Sequence, residues 1–261
     1  IYYLGLSEGV GSNDLGLDRG RLGDTHLLKF ERVGPRVLLK ALNTRYVARS
    51  AIPAESAAAE EAFAKSVLWG FEVIVESLDS VIIDITEFAL RDSMDLSRLL
   101  KASGEGAYTV DHSRSVIHMP RTKAFPDNTE IDALLTYVGE PEGSILRTVA
   151  PDASAISLNS HHSFVRLPDG NYEPIIYDPR AGYIEEGEST LVYDFASPID
   201  SPVKTAYARR HRLNKINPEA VLSKAVEPIV YYVDRGVPEP IRGALIAGAS
   251  WRNQAFEAAG Y

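Results

Sequence analysis

The stretch that most constrains this chain lies near its end. Ile229-Val230-Tyr231-Tyr232-Val233 is a run of β-formers, and such a run predicts a buried strand. Asp234-Arg235-Gly236 breaks it, and Pro238 and Pro240 on either side of Glu239 suit a helix start. Ile241, Ala244, Leu245, Gly248, Ala249, Ala255, Phe256 and Ala259 then recur at helical spacing, which is one apolar helix face. Gly243 and Gly248 weaken a helix, so their use is close packing against a neighbour. Gly260 sits where a C-terminal cap belongs. A strand followed by an amphipathic helix opens an α/β domain. The expectation is therefore a chain cut just after such a domain has begun.

Upstream, the pattern is different. His26–Glu31 and Arg36–Leu42 flank Val33-Gly34-Pro35, a hairpin signal. Glu55–Lys65 reads as a helix, Trp69–Glu76 and Val81–Ile85 as a second hairpin, and Leu96–Ala102 as a short helix ended by Ser103-Gly104. Ala107–Asp111, Val116–Met119, Glu130–Gly139, Leu191–Asp194 and Ala206–Arg210 are further strand candidates, and Asn217-Pro218 suits the start of a helix over Glu219–Ala225. With 261 residues, 45% of them hydrophobic, the chain can build a core in one or two domains. The expected fold class is α+β: a predominantly antiparallel β domain with few helices over residues 1–200 and a linker over 201–224. A truncated strand–helix start of an α/β domain follows over 225–261.

The totals exclude several function classes. A net charge of −9 argues against nucleic acid as a partner. The absence of cysteine removes disulfides, thiol nucleophiles and thiolate zinc sites. No apolar run approaches the roughly 18–20 residues of a membrane span, so no transmembrane segment is expected. No Walker loop, Rossmann fingerprint or nucleophile elbow is present.

Four residues are singled out as ligand-contact or interdomain candidates. His161 and His162 are adjacent, so on a strand they point to opposite faces and cannot easily share one ion. The bland alternative is one buried, hydrogen-bonded histidine and one exposed. Asp178 and Arg180 flank Pro179, whose fixed backbone can aim the guanidinium at a carboxylate; an internal salt bridge is the simpler reading. A small-molecule hydrolase would need all four in one pocket. Asp14, Asp18 and Asp24, in the glycine-dense loop 9–24, suggest a cation, but their spacing is not that of an EF-hand and turn formation accounts for them. The basic cluster Arg209-Arg210-His211-Arg212 is expected to pair with acids or to be solvated. Tyr172, Tyr177 and Tyr183 would form a protein- or glycan-binding platform if they lined one open face, and core if they packed on Phe164 and Trp69.

Six blocks carry a family resemblance: Ser12–Leu39, Phe63–Val73, Arg121–Tyr137, His161–Pro174, Asp178–Tyr183 and Arg209–Lys215. Together with Pro228–Tyr261 they resemble a family of large bacterial, metzincin-like zinc-dependent metallopeptidases, in which an uncharacterised domain precedes the peptidase. The resemblance implies an exported protein of the periplasm or cell envelope that hydrolyses protein or peptide substrates. It also implies zinc held by an H-E-x-x-H motif beyond residue 261, since no such motif occurs in these residues. This chain would then be an accessory region, without catalysis or cofactor of its own, partnered by the remainder of the peptidase domain. The alternative is a β-rich protein- or glycan-binding module.

Overall fold

The structure, a computed structural model, describes residues 1–261 except 12, 169 and 184–189. In chain order the strands are β1 (Tyr2–Glu8), β2 (Leu28–Val33), β3 (Arg36–Ala41), β4 (Tyr46–Val47), β5 (Ser66–Glu76), β6 (Val81–Ile83), β7 (Tyr108–Val110), β8 (Val116–Ile117), β9 (Lys123–Ala124), β10 (Asn128–Gly139), β11 (Ala155–Val165), β12 (Leu191–Asp194) and β13 (Lys204–Ala206). The helices are α1 (Pro53–Ala62), α2 (Thr86–Ala89), α3 (Leu96–Ala102), α4 (Ile145–Val149), α5 (Ile241–Ser250) and α6 (Asn253–Ala258). This is the expected β-rich α+β class. The chain divides into two units, one of residues 1–169 and 192–204 and the other of 170–191 and 205–261.

Alternation in two long strands organises the first unit. β10 and β11 pair antiparallel with Asp132 opposite His161, and β1 pairs antiparallel with the other edge of β11. β7, β8 and β9 extend the sheet on β10. Because side chains alternate between faces, Leu6, Ala133, Leu135, Tyr137, Ile156 and Leu158 share one face. They form a buried cluster there with Leu96 and Leu100 of α3 and Leu146 of α4. A second antiparallel sheet, β2-β3-β5-β6, contributes Val37, Leu39 and Phe71 to another cluster with Tyr2, Leu4 and Phe88 of α2. Phe88 sits at its centre, 5.8–6.0 Å by ring centroid from Tyr2, Trp69 and Phe71.

The expected hairpins form as β2–β3 and β5–β6. Gly34 takes the positive φ of 58° that the β2–β3 turn needs. α3 occupies the expected Leu96–Ala102, and Gly104 follows it with φ 74°, as a helix C-terminus favours. After β3 the segment Thr44–Arg49 holds β4, which pairs parallel with β12.

Glu105 shows how a buried carboxylate can stabilise a short helix. Its side chain accepts from the backbone N–H of Ile145 (3.2 Å) and Leu146 (2.9 Å), donors at the start of α4 with no intrahelical acceptor. The residue is only 2% exposed. Gly143 makes room for it, since a Cβ there would lie 2.3 Å from Glu105 Oε1. Glu105→Ala leaves two buried N–H groups without an acceptor and is expected to lower unfolding free energy by about 2 kcal/mol, measured by urea denaturation. A change within about 0.5 kcal/mol would mean that water replaces the carboxylate.

The second unit has little regular structure before its helices. Ile176 bridges Tyr207, with Tyr177 N–H donating to the Ala206 carbonyl and Ala208 N–H to that of Ile175. Two expectations fail here. Ile229–Val233 is not a strand, and Val230, Tyr231 and Tyr232 are exposed. A run of β-formers becomes a strand only when a neighbour accepts its backbone bonds, and among the described residues none pairs with it. Glu219–Ala225 forms turns rather than a helix; Lys215 bridges Ala225 and its ammonium donates to the carbonyls of Ala220 and Val221. The C-terminal helical pattern is present but interrupted at Trp251-Arg252, and no residue of α5 or α6 is buried.

Candidate functional site

The polar face of the β1–β11–β10 sheet gathers a group of ionisable and polar side chains in the first unit. Glu130, Asp132 and Thr136 on β10, Ser157, Asn159, His161 and Ser163 on β11, and Ser7 on β1 all project to the side opposite the apolar core. Asp132 is its centre, with no solvent exposure. Its Oδ2 accepts from Ser7 Oγ (2.5 Å) and faces His161 Nδ1 (3.3 Å); its Oδ1 accepts from Asn159 Nδ2 (2.5 Å) and faces His118 Nδ1 (3.3 Å). The segment between β8 and β9 closes the side: His118 N–H donates to the Asp132 carbonyl, and Asp132 N–H to Thr122 Oγ1.

His161 is held at both ring nitrogens. Nε2 lies 2.7 Å from Glu130 Oε2 while Nδ1 faces Asp132. Glu130 Oε1 also accepts from Ser163 Oγ (2.8 Å) and Asn128 Nδ2 (2.6 Å). The Asp132 bond, working against burial and helped by Glu130, raises the His161 pKa, so the imidazolium is the favoured form. Burial pushes the Asp132 carboxyl up, but donors from His161, Ser7, Asn159 and His118 outweigh it and hold the group far below the usual carboxylate range. Arg121 closes the rim on Glu8 (2.9 Å).

The chemistry open to this cluster is limited. A histidine clamped between two carboxylates has no free nitrogen to act as a base. Ser163 and Ser7 donate to carboxylates rather than to a histidine, so no nucleophile–base pair is formed. Among the described residues no group of three or more His, Asp or Glu side chains could hold a metal ion; the donors do not fit a zinc site. The cluster is a hydrogen-bonded lock within the sheet.

His162, on the opposite face, is fully buried. Tyr2 Oη lies 2.7 Å from Nδ1, and Nε2 lies 3.2 Å from the Ala89 carbonyl. A carbonyl can only accept, so Nε2 carries the proton and Nδ1 accepts from the tyrosine. Burial lowers the pKa of this imidazole to about 4. The two histidines therefore point apart, one neutral in the core and the other charged in the polar cluster.

Asp178 and Arg180 belong to the second unit and bond to each other. Arg180 Nη2 lies 2.6 Å from Asp178 Oδ2, and the Asp178 side chain also accepts from Arg180 N–H (2.9 Å). Both are open to solvent, where such a pair adds little stability. His161 and His162 belong to the first unit, and each pair is described by its own contacts. Tyr172 is half-exposed, with the Arg210 guanidinium 4.9 Å from its ring centroid. Phe164 packs with Tyr2, Phe30 and Phe88, and Trp69 with Phe88. No helix is long and apolar enough to cross a membrane among the described residues.

Asp132, His118 and Asn159 were not among the residues singled out from the sequence. For Asp132 and Asn159 the signal was alternation, with polar side chains at most second positions of β10 and β11; His118, between β8 and β9, carried no such signal.

Fold and site together define a β-rich α+β domain whose central sheet carries apolar packing on one face and a closed polar network on the other. The family model for a domain of unknown function (DUF5117) matches residues 20–216, most of the chain, and the chain belongs to that family. No curated protein and no solved structure matches it.

Proposed function

We propose that this chain is a non-catalytic accessory region of an exported, bacterial, metzincin-like zinc metallopeptidase, with residues 225–261 opening the peptidase domain. The sequence blocks quoted above support the family. The observation that carries the accessory role is the apolar surface at the end of the second unit. Val230, Tyr231 and Tyr232, then Ile241, Leu245, Ile246 and Trp251, are all exposed. Large apolar side chains left exposed together in one segment suit an interaction site, and the remainder of a peptidase domain is the partner this reading assigns to them. The saturated Asp132 network supports the same reading, because its histidines and serines have no chemistry to offer. In this reading zinc and the peptide substrate belong to the downstream domain, and the chain here supports that domain or restricts access to it.

The test is the encoding gene read past Tyr261. An H-E-x-x-H motif with a third histidine within about a dozen residues is the expected result; an immediate stop codon overturns the reading. The purified 261 residues are expected to cleave no peptide, and chelator-sensitive cleavage by them would refute the non-catalytic role.

A further inference from the structure

A cavity of about 410 Å³ opens beside α1 in the first unit, between that helix, β4 and the β2–β3 hairpin. Its size falls within the range of small-molecule sites. The apolar lining comes from Ala59, Ala64, Val47, Tyr46 and Phe63. Phe63 stacks on Tyr46 at 4.5 Å and Tyr193 stacks on it at 5.2 Å.

The polar lining has both signs of charge. Glu31 is held by Lys40 (2.5 Å) and Lys29 (3.6 Å), which leaves that corner with a surplus positive charge. Glu60 and Lys65 line the same cavity, are exposed, and have no ion-pair partner among the described residues. α1 ends at Phe63 in extended backbone, with no N–H returning to cap its last turn; the carbonyls of such a turn favour donors and cations. The lining thus offers cations for a carboxylate, a glutamate and helix carbonyls for an ammonium, and an apolar wall between them.

We propose that this cavity binds a small zwitterion with an apolar body, of the class of apolar α-amino acids. Its carboxylate faces the lysines, its ammonium faces Glu60 and the end of α1, and its side chain lies against Ala59 and Phe63. No bond is made or broken. The proposal is independent of the accessory-region reading and survives that reading's failure.

Isothermal titration calorimetry on the full chain tests it with L-phenylalanine, N-acetyl-L-phenylalanine, which lacks the ammonium, and L-phenylalanine amide, which lacks the carboxylate. Free phenylalanine is expected to bind, with each blocked analogue at least about tenfold weaker. Glu60→Gln and Lys65→Met, both at exposed positions, are each expected to weaken binding by about tenfold. Ala59→Leu, which fills the apolar wall, should abolish it, and Lys101→Met on α3 should leave it unchanged. The dipeptide Leu-Phe distinguishes sources: binding as tight as free phenylalanine assigns a short peptide, and weaker binding a free amino acid. Equal affinity for blocked and free forms, or no heat up to about 10 mM ligand, overturns the proposal, as does an equal loss in Lys101→Met.

Discussion

Asp132→Ala is expected to destabilise the first unit by about 3–5 kcal/mol, the cost of removing one partner from a buried ionic network. The carboxylate has no exposure and lies within hydrogen-bonding reach of Ser7, Asn159, His118 and His161. Truncation leaves the Ser7 hydroxyl without its acceptor and the Asn159 amide with only His118 Nδ1 at 3.2 Å, and leaves His161 facing Glu130 alone. Each unsatisfied buried donor costs about 1–3 kcal/mol, and these donors share one acceptor, so their losses do not add independently. Urea unfolding followed by far-ultraviolet circular dichroism measures the loss. Asp132→Asn retains one acceptor oxygen but turns an amide donor toward groups that also donate, so it is expected to be destabilising as well. The rim offers the route to the opposite result, because the side chains of His118 and His161 are 37% and 33% exposed. A loss below about 1 kcal/mol for Asp132→Ala would show water entering there and replacing the carboxylate, and the lock would not be a main support of the sheet.

The visibility of these features in the sequence followed the range of the interactions behind them. Hairpins and the α3 helix are decided locally, by Gly34 between two β-forming runs and by Ser103-Gly104 after Ala102, and the structure places them where those residues suggest. The adjacent pair His161-His162 also obeyed a local rule, opposite faces on a strand. What sequence could not supply was which distant residue each face would meet. Asp132 meets His161 only because β10 and β11 pair in one register across a gap that includes α4, and a shift of β11 by one residue would send His161 to the core side. Ile229–Val233 marks the other limit. Its composition specifies a preference for extended structure, while strand formation needs a partner edge, and among the described residues that partner is absent. β4 shows the converse: it exists because β12, far along the chain, pairs with it.

His162 is expected to make the first unit acid-sensitive well above the range of ordinary carboxylate titration. In the folded chain burial lowers its pKa from the ordinary imidazole value of 6.5 to about 4. The sign follows from proton counting. Between pH 6.5 and 4 the unfolded chain binds a proton at this residue and the folded chain does not. Its stabilising contribution is therefore fully present above 6.5 and is lost as pH falls through the folded value. Over that window the loss amounts to about 3 kcal/mol. The facing groups are the Tyr2 hydroxyl, the Ala89 carbonyl, the Phe88 ring at 5.7 Å and the Arg91 guanidinium, whose charge further disfavours the imidazolium. His161 works in the other direction. Its raised pKa gives a contribution present below 6.5 and lost as pH rises through the folded value, so it adds no slope in the acid window. Asp132, held far below its ordinary range, loses its contribution only at more acidic pH, below the unfolded carboxylate value. Urea unfolding of the parent chain and His162→Gln at intervals from pH 7 to about 4 separates these contributions, because groups common to both cancel in the difference. Glutamine can accept from Tyr2 and donate to Ala89 without titrating, so the variant is expected to show a flatter dependence and to gain on the parent as the solution is acidified. Parallel curves would mean that His162 takes up its proton equally in the folded and unfolded chains, because Tyr2 and Ala89 part and let water reach the ring before pH 4.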